Sequence, residues 1–206
     1  MTGRIFLLSP AHCGGARARQ LLSPHARFAL AEQLRTDRGA TLGDVFVFVS
    51  GLYFRGKLAY ALRFAAPPGA GSGGVHVITP NVGLRGPGTY VTRRTVESFA
   101  ASDVHEANLE YRRPLERSAR RLARAIGPGC DVVLLGSIAS TKYVEVLLEI
   151  FSGRLRFPID FVGRGDMSRG GLLLRMARQG TELPYVEVAG APRHGARPPK
   201  LPPLGP

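Results

Sequence analysis

The chain is poor in cysteine and in long apolar runs, and each scarcity excludes a class of protein. Cys13 and Cys130 are too few for a disulfide framework, and neither has a second cysteine at metal-ligand spacing. The first apolar run covers only residues 5–8, which is too short for a signal peptide, and no run approaches the roughly 20 residues of a membrane span. We therefore expect a cytoplasmic protein with two free thiols and no membrane contact.

Lysine is also scarce, although the chain is strongly basic. Only Lys57, Lys142 and Lys200 are lysine among 28 basic residues, and the formal net charge is +13. The planar guanidinium of arginine binds carboxylate or phosphate groups, so an arginine-rich surface suits polyanions. A general preference for arginine would explain the same composition. The charge therefore favours nucleic acid or a phosphate-bearing small molecule as the partner without establishing either.

Five short apolar runs stand out, and they do not alternate with polar residues. They cover residues 4–9, 44–50, 75–79, 131–136 and 157–162. Continuous runs of this length are typical of strands that are buried on both faces of a parallel sheet. Helical patterns lie between and after them, at residues 17–33, 55–65, 92–101, 112–126, 142–151 and 171–179. The alternation predicts a three-layer α/β domain with a mainly parallel sheet of about five strands and helices on both faces.

The chain divides into one predicted domain and a tail. Residues 1–189 carry all the apolar runs, whereas residues 190–206 are rich in proline and basic side chains and supply few core candidates. This composition predicts a disordered or polyproline-like segment. The tail is either inert or a ligand for an aromatic groove.

The helical pattern at residues 112–126 has one apolar face and one arginine-rich face. Apolar residues recur at spacings of four, three and four, at Leu115, Ala119, Leu122 and Ile126. The rest of the surface carries Arg113, Arg117, Arg120, Arg121 and Arg124. These arginines form either an ordinary solvated face or a face that follows phosphate groups.

Polar or cationic side chains, together with glycine, follow each of the five runs. In open parallel sheets ligands bind beyond the carboxyl ends of the strands, so we expect these side chains to share one edge. The candidate ligand-binding residues are Ser9 and His12 after the first run, Ser50, Tyr53, Arg55 and Lys57 after the second, Asn81 and Arg85 after the third, Gly136, Ser137, Lys142 and Tyr143 after the fourth, and Gly163, Arg164, Gly165, Asp166 and Arg169 after the fifth.

The last of these loops, at residues 163–169, is predicted to hold an anion. Gly163 and Gly165 would admit a ligand close to the backbone, Arg164 and Arg169 would neutralise it, and the following helix would add its positive end. Asp166 would hold an arginine, accept from a ribose hydroxyl or cap the helix. The loop matches neither G-x-G-x-x-G nor G-K-[ST], and the histidines lack metal-ligand spacing, so no cofactor and no metal are predicted.

Four segments resemble YaaA-like proteins and their small uncharacterised bacterial and phage relatives. They are "RARQLLSPHARFALAEQL", "VFVFVSGLYFRGK", "DVVLLGSIASTKYVEVLLEIF" and "FPIDFVGRGDMSRGGLLL", which follow the family's order and cover about half of the chain. The resemblance implies an α/β core and, from the stress-response members, binding to DNA. It also implies site positions at Ser50, Tyr53, Gly136, Tyr143, Gly163 and Gly165.

Three hypotheses about function remain open from the sequence. The first is a protein that binds nucleic acid or a nucleotide, with an affinity that falls steeply as salt rises. The second is an enzyme that acts on a nucleotide, nucleoside or nucleobase, of the glycosidase or transferase type, with a deep and partly apolar pocket. The third is an interaction protein that works through its proline-rich tail. The arginine excess and the resemblance favour the first.

Overall fold

The computed structural model describes residues 3–69, 71–139 and 141–201. Helices and strands alternate along most of this part of the chain. In chain order they are β1 (Gly3–Leu8), α1 (Ala16–Leu22), α2 (Ala29–Leu34), β2 (Ala40–Thr41), α3 (Leu42–Ser50), α4 (Leu52–Phe64), β3 (Val75–Ile78), β4 (Leu84–Arg85), β5 (Tyr90–Val91), α5 (Arg93–Ala101), α6 (Leu109–Ile126), β6 (Cys130–Leu135), α7 (Thr141–Phe151), β7 (Leu155–Pro158), α8 (Asp166–Gln179) and β8 (Tyr185–Glu187).

The described residues form a six-stranded sheet in the order β4-β3-β1-β6-β7-β8. The four inner strands are parallel, and the edge strands β4 and β8 are antiparallel to their neighbours. β1 lies at the centre, and Ile5, Phe6, Leu7 and Leu8 are all 0% exposed, which explains why its sequence does not alternate. The predicted α/β class with a mainly parallel sheet is confirmed.

Helices cover the sheet in two groups. α4 packs on β1 and β3 and against α8, whereas α6 and α7 pack against each other and contact β4 and β7 respectively. The α6 contacts follow the predicted apolar face, because Tyr111, Leu115, Ala119, Leu122 and Ile126 are buried. The predicted arrangement of three layers is confirmed.

The prediction of a strand at residues 44–50 is wrong, because this run lies in α3. The hydroxyl of Thr41 caps the helix by accepting from the Asp44 amide at 3.2 Å, and Gly51, with φ of 63°, ends it. Leu42, Val45, Phe46 and Val49 are buried at helical spacing. A continuous apolar run fits a buried helix as well as a strand, and only the cap and the glycine distinguish the two.

Other predicted boundaries shift for local reasons. The helix at 17–33 is two helices, α1 and α2, because Ser23 precedes Pro24 and adopts extended backbone angles. The strand predicted at 157–162 is displaced towards the N-terminus: β7 runs from Leu155 to Pro158, which lacks an N–H, and a 3-10 turn (Ile159–Phe161) follows. The final helix begins earlier than predicted, at Asp166.

The described part of the tail, residues 190–201, contains neither helix nor strand and lies against the loop that precedes α8. At Gly163, whose φ is 73°, an added Cβ would lie 2.0 Å from the carbonyl oxygen of Ala196. Glycine is therefore required there by both the backbone angle and the close approach. Residues 202–206 of the predicted tail lie outside the described residues.

Candidate functional site

A pocket of about 330 Å³ lies beyond the carboxyl ends of β1 and β6. Many of the predicted site residues line it: Ser9, His12, Ser50, Tyr53, Lys57, Ser137, Lys142, Tyr143 and Asp166. Ser9 and His12 lie in the loop after β1, and Ser137 lies in the loop after β6. Ser50 ends α3, Tyr53 and Lys57 lie in the first two turns of α4, and the remaining three residues lie in the first turns of α7 and α8. Pro10, Ala11 and Val104 also line the pocket, and these residue types carry no chemical signal in the sequence.

Lys57 lies at the base of the pocket and is almost fully buried, with 1% of its surface exposed. Its Nζ donates to the carbonyl oxygen of Ser9 at 2.8 Å and lies 2.9 Å from the Ser9 Oγ. The same nitrogen lies 4.5 Å from the centre of the Tyr53 ring and 5.0 Å from that of Phe54. Among the described residues it forms no salt bridge with a carboxylate.

Burial lowers the pKa of Lys57 from 10.5 to about 7, because the charged amine is removed from water. The carboxylate of Asp166 opposes the fall, and the guanidinium of Arg169 adds slightly to it. A buried amine without an anionic partner is therefore divided between its charged and neutral forms near neutral pH. It is ready to hold an anion when charged and to accept a proton when neutral.

A backbone hydrogen bond and close packing hold Ser9 where β1 ends. Its amide donates to the carbonyl oxygen of Leu135 at 3.1 Å, which fixes the turn to the neighbouring strand β6. A Cβ at Gly136 would lie 2.8 Å from both the Ser9 Cβ and the Tyr143 hydroxyl, so only glycine fits beside this serine. Gly136 thus allows Ser9 and Tyr143 to pack close together, although it does not itself line the pocket.

Tyr143 lies beside Ser9 on the first turn of α7. Its hydroxyl donates to the carbonyl oxygen of Ser137 at 2.9 Å. Burial raises the pKa of Tyr143 to about 12, while the hydrogen bonds to Ser137 and to the Ser9 side chain lower it in part. Ser9 Oγ is therefore placed between a tyrosine hydroxyl and the amine of Lys57.

Tyr53 is buried beside the same amine, on the first turn of α4. Its hydroxyl has no hydrogen-bond partner of good geometry among the described residues. Burial raises the pKa of Tyr53 well above its ordinary value, and the nearby Arg169 guanidinium opposes that rise. The hydrogen bond from Arg169 that contributes to this opposition is poorly aligned, so a ligand that hydrogen-bonds to the Tyr53 hydroxyl would gain stabilisation.

The rim of the pocket is polar and accessible. His12, Lys142 and Asp166 are exposed, and Ser50 and Ser137 are partly buried. α7 and α8 begin at the rim, and the positive ends of their dipoles add to the cationic character of the opening. The carboxylate of Asp166 is 71% exposed and lies 3.9 Å from Arg169, so their attraction is weak.

The arginines of the loop before α8 are held by the protein itself. Arg169 donates through Nε and Nη2 to the carbonyl oxygen of Phe161, at 3.2 and 3.1 Å, and its guanidinium lies 5.3 Å from the Phe161 ring centre. Arg164 donates to the carbonyl oxygen of Asp160 at 3.0 Å and to Ser168 at 3.2 Å. Arg169 therefore acts on the pocket through its charge rather than as a lining residue.

The remaining predicted site residues lie outside this pocket. Arg164 and Gly165 line a second cavity against the tail, and Gly163 packs on Ala196. Arg55 is exposed on α4. Asn81 and Arg85 line a third cavity, together with Arg117 and Arg121 of α6.

Both cysteines are free, as expected from the sequence, and both are buried. Burial raises the pKa of Cys13 to about 12, so this thiol is protonated at neutral pH and is a poor nucleophile beside His12.

No protein-family model, curated protein or solved structure matches this chain. The resemblance to YaaA-like proteins therefore stays a hypothesis from the sequence. None of the helices in the described ranges is both long and apolar enough to cross a membrane. Within those ranges, no three His, Cys, Asp or Glu side chains are grouped so that they would hold a metal ion.

Proposed function

We propose that the pocket beyond β1 and β6 binds a phosphate-bearing small molecule, with a mononucleotide as the expected class. The observation that carries the proposal is Lys57, a buried amine that lines the pocket and lacks a carboxylate partner among the described residues. An anion bound beside this amine would supply the missing charge. The pocket volume of about 330 Å³ lies within the range of small-molecule sites.

Lys57→Met is expected to weaken nucleotide binding by roughly ten- to a hundredfold, because it removes one charge-assisted contact of about 1.5–3 kcal/mol. The measurement is calorimetric titration with AMP, ADP and inorganic phosphate at pH 8. Lys200→Met is the matched control, because it removes the same charge from the exposed tail, outside the pocket.

The same titration carries a second readout. At pH 8 most of the Lys57 amine is neutral, so an anion that favours the charged form should draw up to about one proton from solution. Titrations in buffers of different ionisation enthalpy should show this uptake in the wild type and in Lys200→Met, but not in Lys57→Met. Equal affinity and equal proton uptake in all three proteins would refute the proposal.

A second candidate function, binding of double-stranded DNA, is favoured by the arginine face of α6. We define this face as Arg113, Arg117, Arg120, Arg121 and Arg124, all of which are exposed. None of them forms an ion pair within the described residues, whereas Arg112 on the same helix pairs with Glu116 and Glu149. Arg85 of β4 extends the face next to Arg117 and Arg121. Unpaired guanidinium groups in a row complement a phosphate backbone.

Arg117→Gln combined with Arg121→Gln is expected to weaken binding to a mixed-sequence DNA duplex and to reduce the slope of log affinity against log salt by about two. The control is Arg63→Gln combined with Arg178→Gln, which removes the same charge from exposed positions on α4 and α8. If both double variants lose the same affinity, only net charge matters and the α6 face is not a specific site. Fluorescence anisotropy between about 50 and 300 mM salt, roughly a sixfold range, measures the slope.

A further inference from the structure

The contact between Ser9 and Lys57 has the geometry of a nucleophile and its base. Nζ of Lys57 donates to Oγ of Ser9 at 2.9 Å and to the carbonyl oxygen of the same serine at 2.8 Å. When the amine is neutral, the serine hydroxyl can instead donate to Nζ across the same contact. Both side chains line the pocket, so the hydroxyl faces the space in which a ligand would lie. A serine hydroxyl is a weak nucleophile unless an adjacent base accepts its proton.

We propose that Ser9 is the nucleophile and Lys57 the general base of a group-transfer reaction on a phosphoester bound in this pocket. The substrate class rests on the proposed binding of a phosphate-bearing ligand, whereas the pairing of the two residues rests on their own geometry. The protein is thereby assigned an enzymatic activity rather than binding alone.

Ser9, Lys57, the substrate and water account for every proton transferred and every bond formed or broken in the reaction. A bound phosphoester favours the ammonium form of Lys57, so the reaction starts from the fraction of complexes in which the amine is neutral. In these, Lys57 accepts the Ser9 proton while Oγ forms a bond to phosphorus and the bond from phosphorus to the leaving oxygen breaks. The Lys57 ammonium then returns that proton to the leaving alkoxide. In the second step Lys57 accepts a proton from water while the water oxygen forms a bond to phosphorus and the bond from phosphorus to the Ser9 Oγ breaks. The Lys57 ammonium then returns its proton to the Ser9 Oγ, and phosphate is released.

The surroundings fit this assignment and disfavour Lys57 as a purely structural cation. A structural buried ammonium needs a carboxylate or several carbonyl acceptors. Within the described part of the chain, the contacts of Lys57 are one carbonyl, one hydroxyl and two aromatic faces. Removal of the amine from water lowers its pKa to about 7, which provides a neutral base at physiological pH. Tyr143, on the other side of Ser9, is a positioning residue, because its hydroxyl is anchored to Ser137.

A biotinylated fluorophosphonate tests the pairing without knowledge of the natural substrate, because it phosphonylates an activated serine with loss of fluoride. We expect stoichiometric labelling of the folded wild type, and peptide mapping should locate the label at Ser9. Labelling should be absent in Ser9→Ala and at least about a hundredfold slower in Lys57→Met, which is the low end of a general-base contribution. Heat-unfolded wild type, which has lost the contact, should not be labelled.

The pH dependence of labelling keeps the test independent of the folding of any variant. The wild-type rate should rise with pH through about 7 and level off above it, because only the neutral amine accepts the proton. Three results would each overturn the pairing. They are the absence of labelling at Ser9, a labelling rate that does not change with pH, and equal labelling rates in the wild type and a folded Lys57→Met.

Protection by nucleotide separates the failure of this inference from the failure of the proposed function. AMP should slow the labelling of Ser9 if both are correct. Calorimetric binding of AMP without any labelling would refute the pairing and leave the binding proposal intact. Labelling of Ser9 without any binding of AMP, ADP or phosphate would refute the proposed ligand class and, with it, the phosphoester substrate.

Discussion

Lys57→Met is expected to raise the free energy of unfolding at pH 7 by about 2–4 kcal/mol, although it removes two hydrogen bonds. Folding lowers the pKa of Lys57 from 10.5 to about 7, and each unit corresponds to about 1.36 kcal/mol of destabilisation at neutral pH. Methionine fills a similar volume without a charge to desolvate. The loss of a donor to the Ser9 carbonyl reduces the gain by about 1 kcal/mol.

The pH dependence of the difference between the two proteins identifies its cause. Between about pH 7 and 10.5 the unfolded wild type binds a proton at Lys57 that the folded protein has released, so stability rises with pH in this range. The advantage of Lys57→Met should therefore shrink by about 2 kcal/mol from pH 7 to pH 9. Urea denaturation at pH 7, 8 and 9 measures this change.

Other groups do not disturb the comparison. The raised pKa of Cys13 makes the folded protein less stable as pH rises through 9, since the unfolded thiol ionises first, but this contribution is present in both proteins. Burial lowers the pKa of His76 below its ordinary value of 6.5, so this residue changes stability only below the pH range of the comparison. An advantage of Lys57→Met that stays constant from pH 7 to pH 9 would show that the amine is not perturbed. The pH profile expected for Ser9 labelling would then lose its basis.

The sequence predicted the centre of the sheet because its strands are short apolar runs buried on both faces. β1, β3 and β6 lie at or within one residue of the predicted ends. The run at 44–50 has the same composition, and its helical state depends on Thr41, Asp44 and Gly51 at its ends. A short apolar run carries no period of its own, so the capping residues are the signal that distinguishes α3 from a strand.

Ser50, Tyr53 and Lys57, at and after the end of this run, line the pocket for a structural reason that differs from the predicted one. Ser50, Tyr53 and Lys57 do not follow a strand, but the turn at Gly51 between α3 and α4 brings them to the same opening. Tyr53 and Lys57 are four residues apart and share one face of α4, a pattern that is visible in the sequence. The burial of Lys57 is not visible there, because it depends on β1 and α8 packing over that face.

The loop before α8 differs from the residues after α3. It lies where a ligand site was predicted, but its arginine side chains have partners within the protein. Arg169 is held by the carbonyl oxygen of Phe161, and Arg164 by that of Asp160. Sequence spacing cannot distinguish an arginine that contacts a ligand from one that donates hydrogen bonds to backbone carbonyl groups of its own loop. That distinction depends on which carbonyl groups the fold leaves without partners.

The close crossing of α4 and α8 fixes the wall of the pocket that carries Tyr53 and Lys57. A Cβ at Gly170 would lie 2.8 Å from the carbonyl oxygen of Leu52 and from the Tyr53 Cα, and one at Gly56 would lie 2.5 Å from the carbonyl oxygen of Gly170. These contacts are with backbone atoms, which cannot rotate away as a side chain would. The two helices must therefore separate if either glycine gains a methyl group.

Gly170→Ala is accordingly expected to lower the free energy of unfolding by about 1–3 kcal/mol, the usual cost of overpacking a dense contact. Gly171→Ala is the matched control in the next position of the same helix, where an added Cβ would lie 3.8 Å from Leu201, an ordinary contact. There the higher helix propensity of alanine should stabilise the protein by up to about 1 kcal/mol.

Because Gly170 contacts the backbone of Tyr53, its alanine variant should also slow fluorophosphonate labelling of Ser9, whereas Gly171→Ala should leave the rate unchanged. Equal stability of the two variants would show that the helices do not cross as closely as the structure places them.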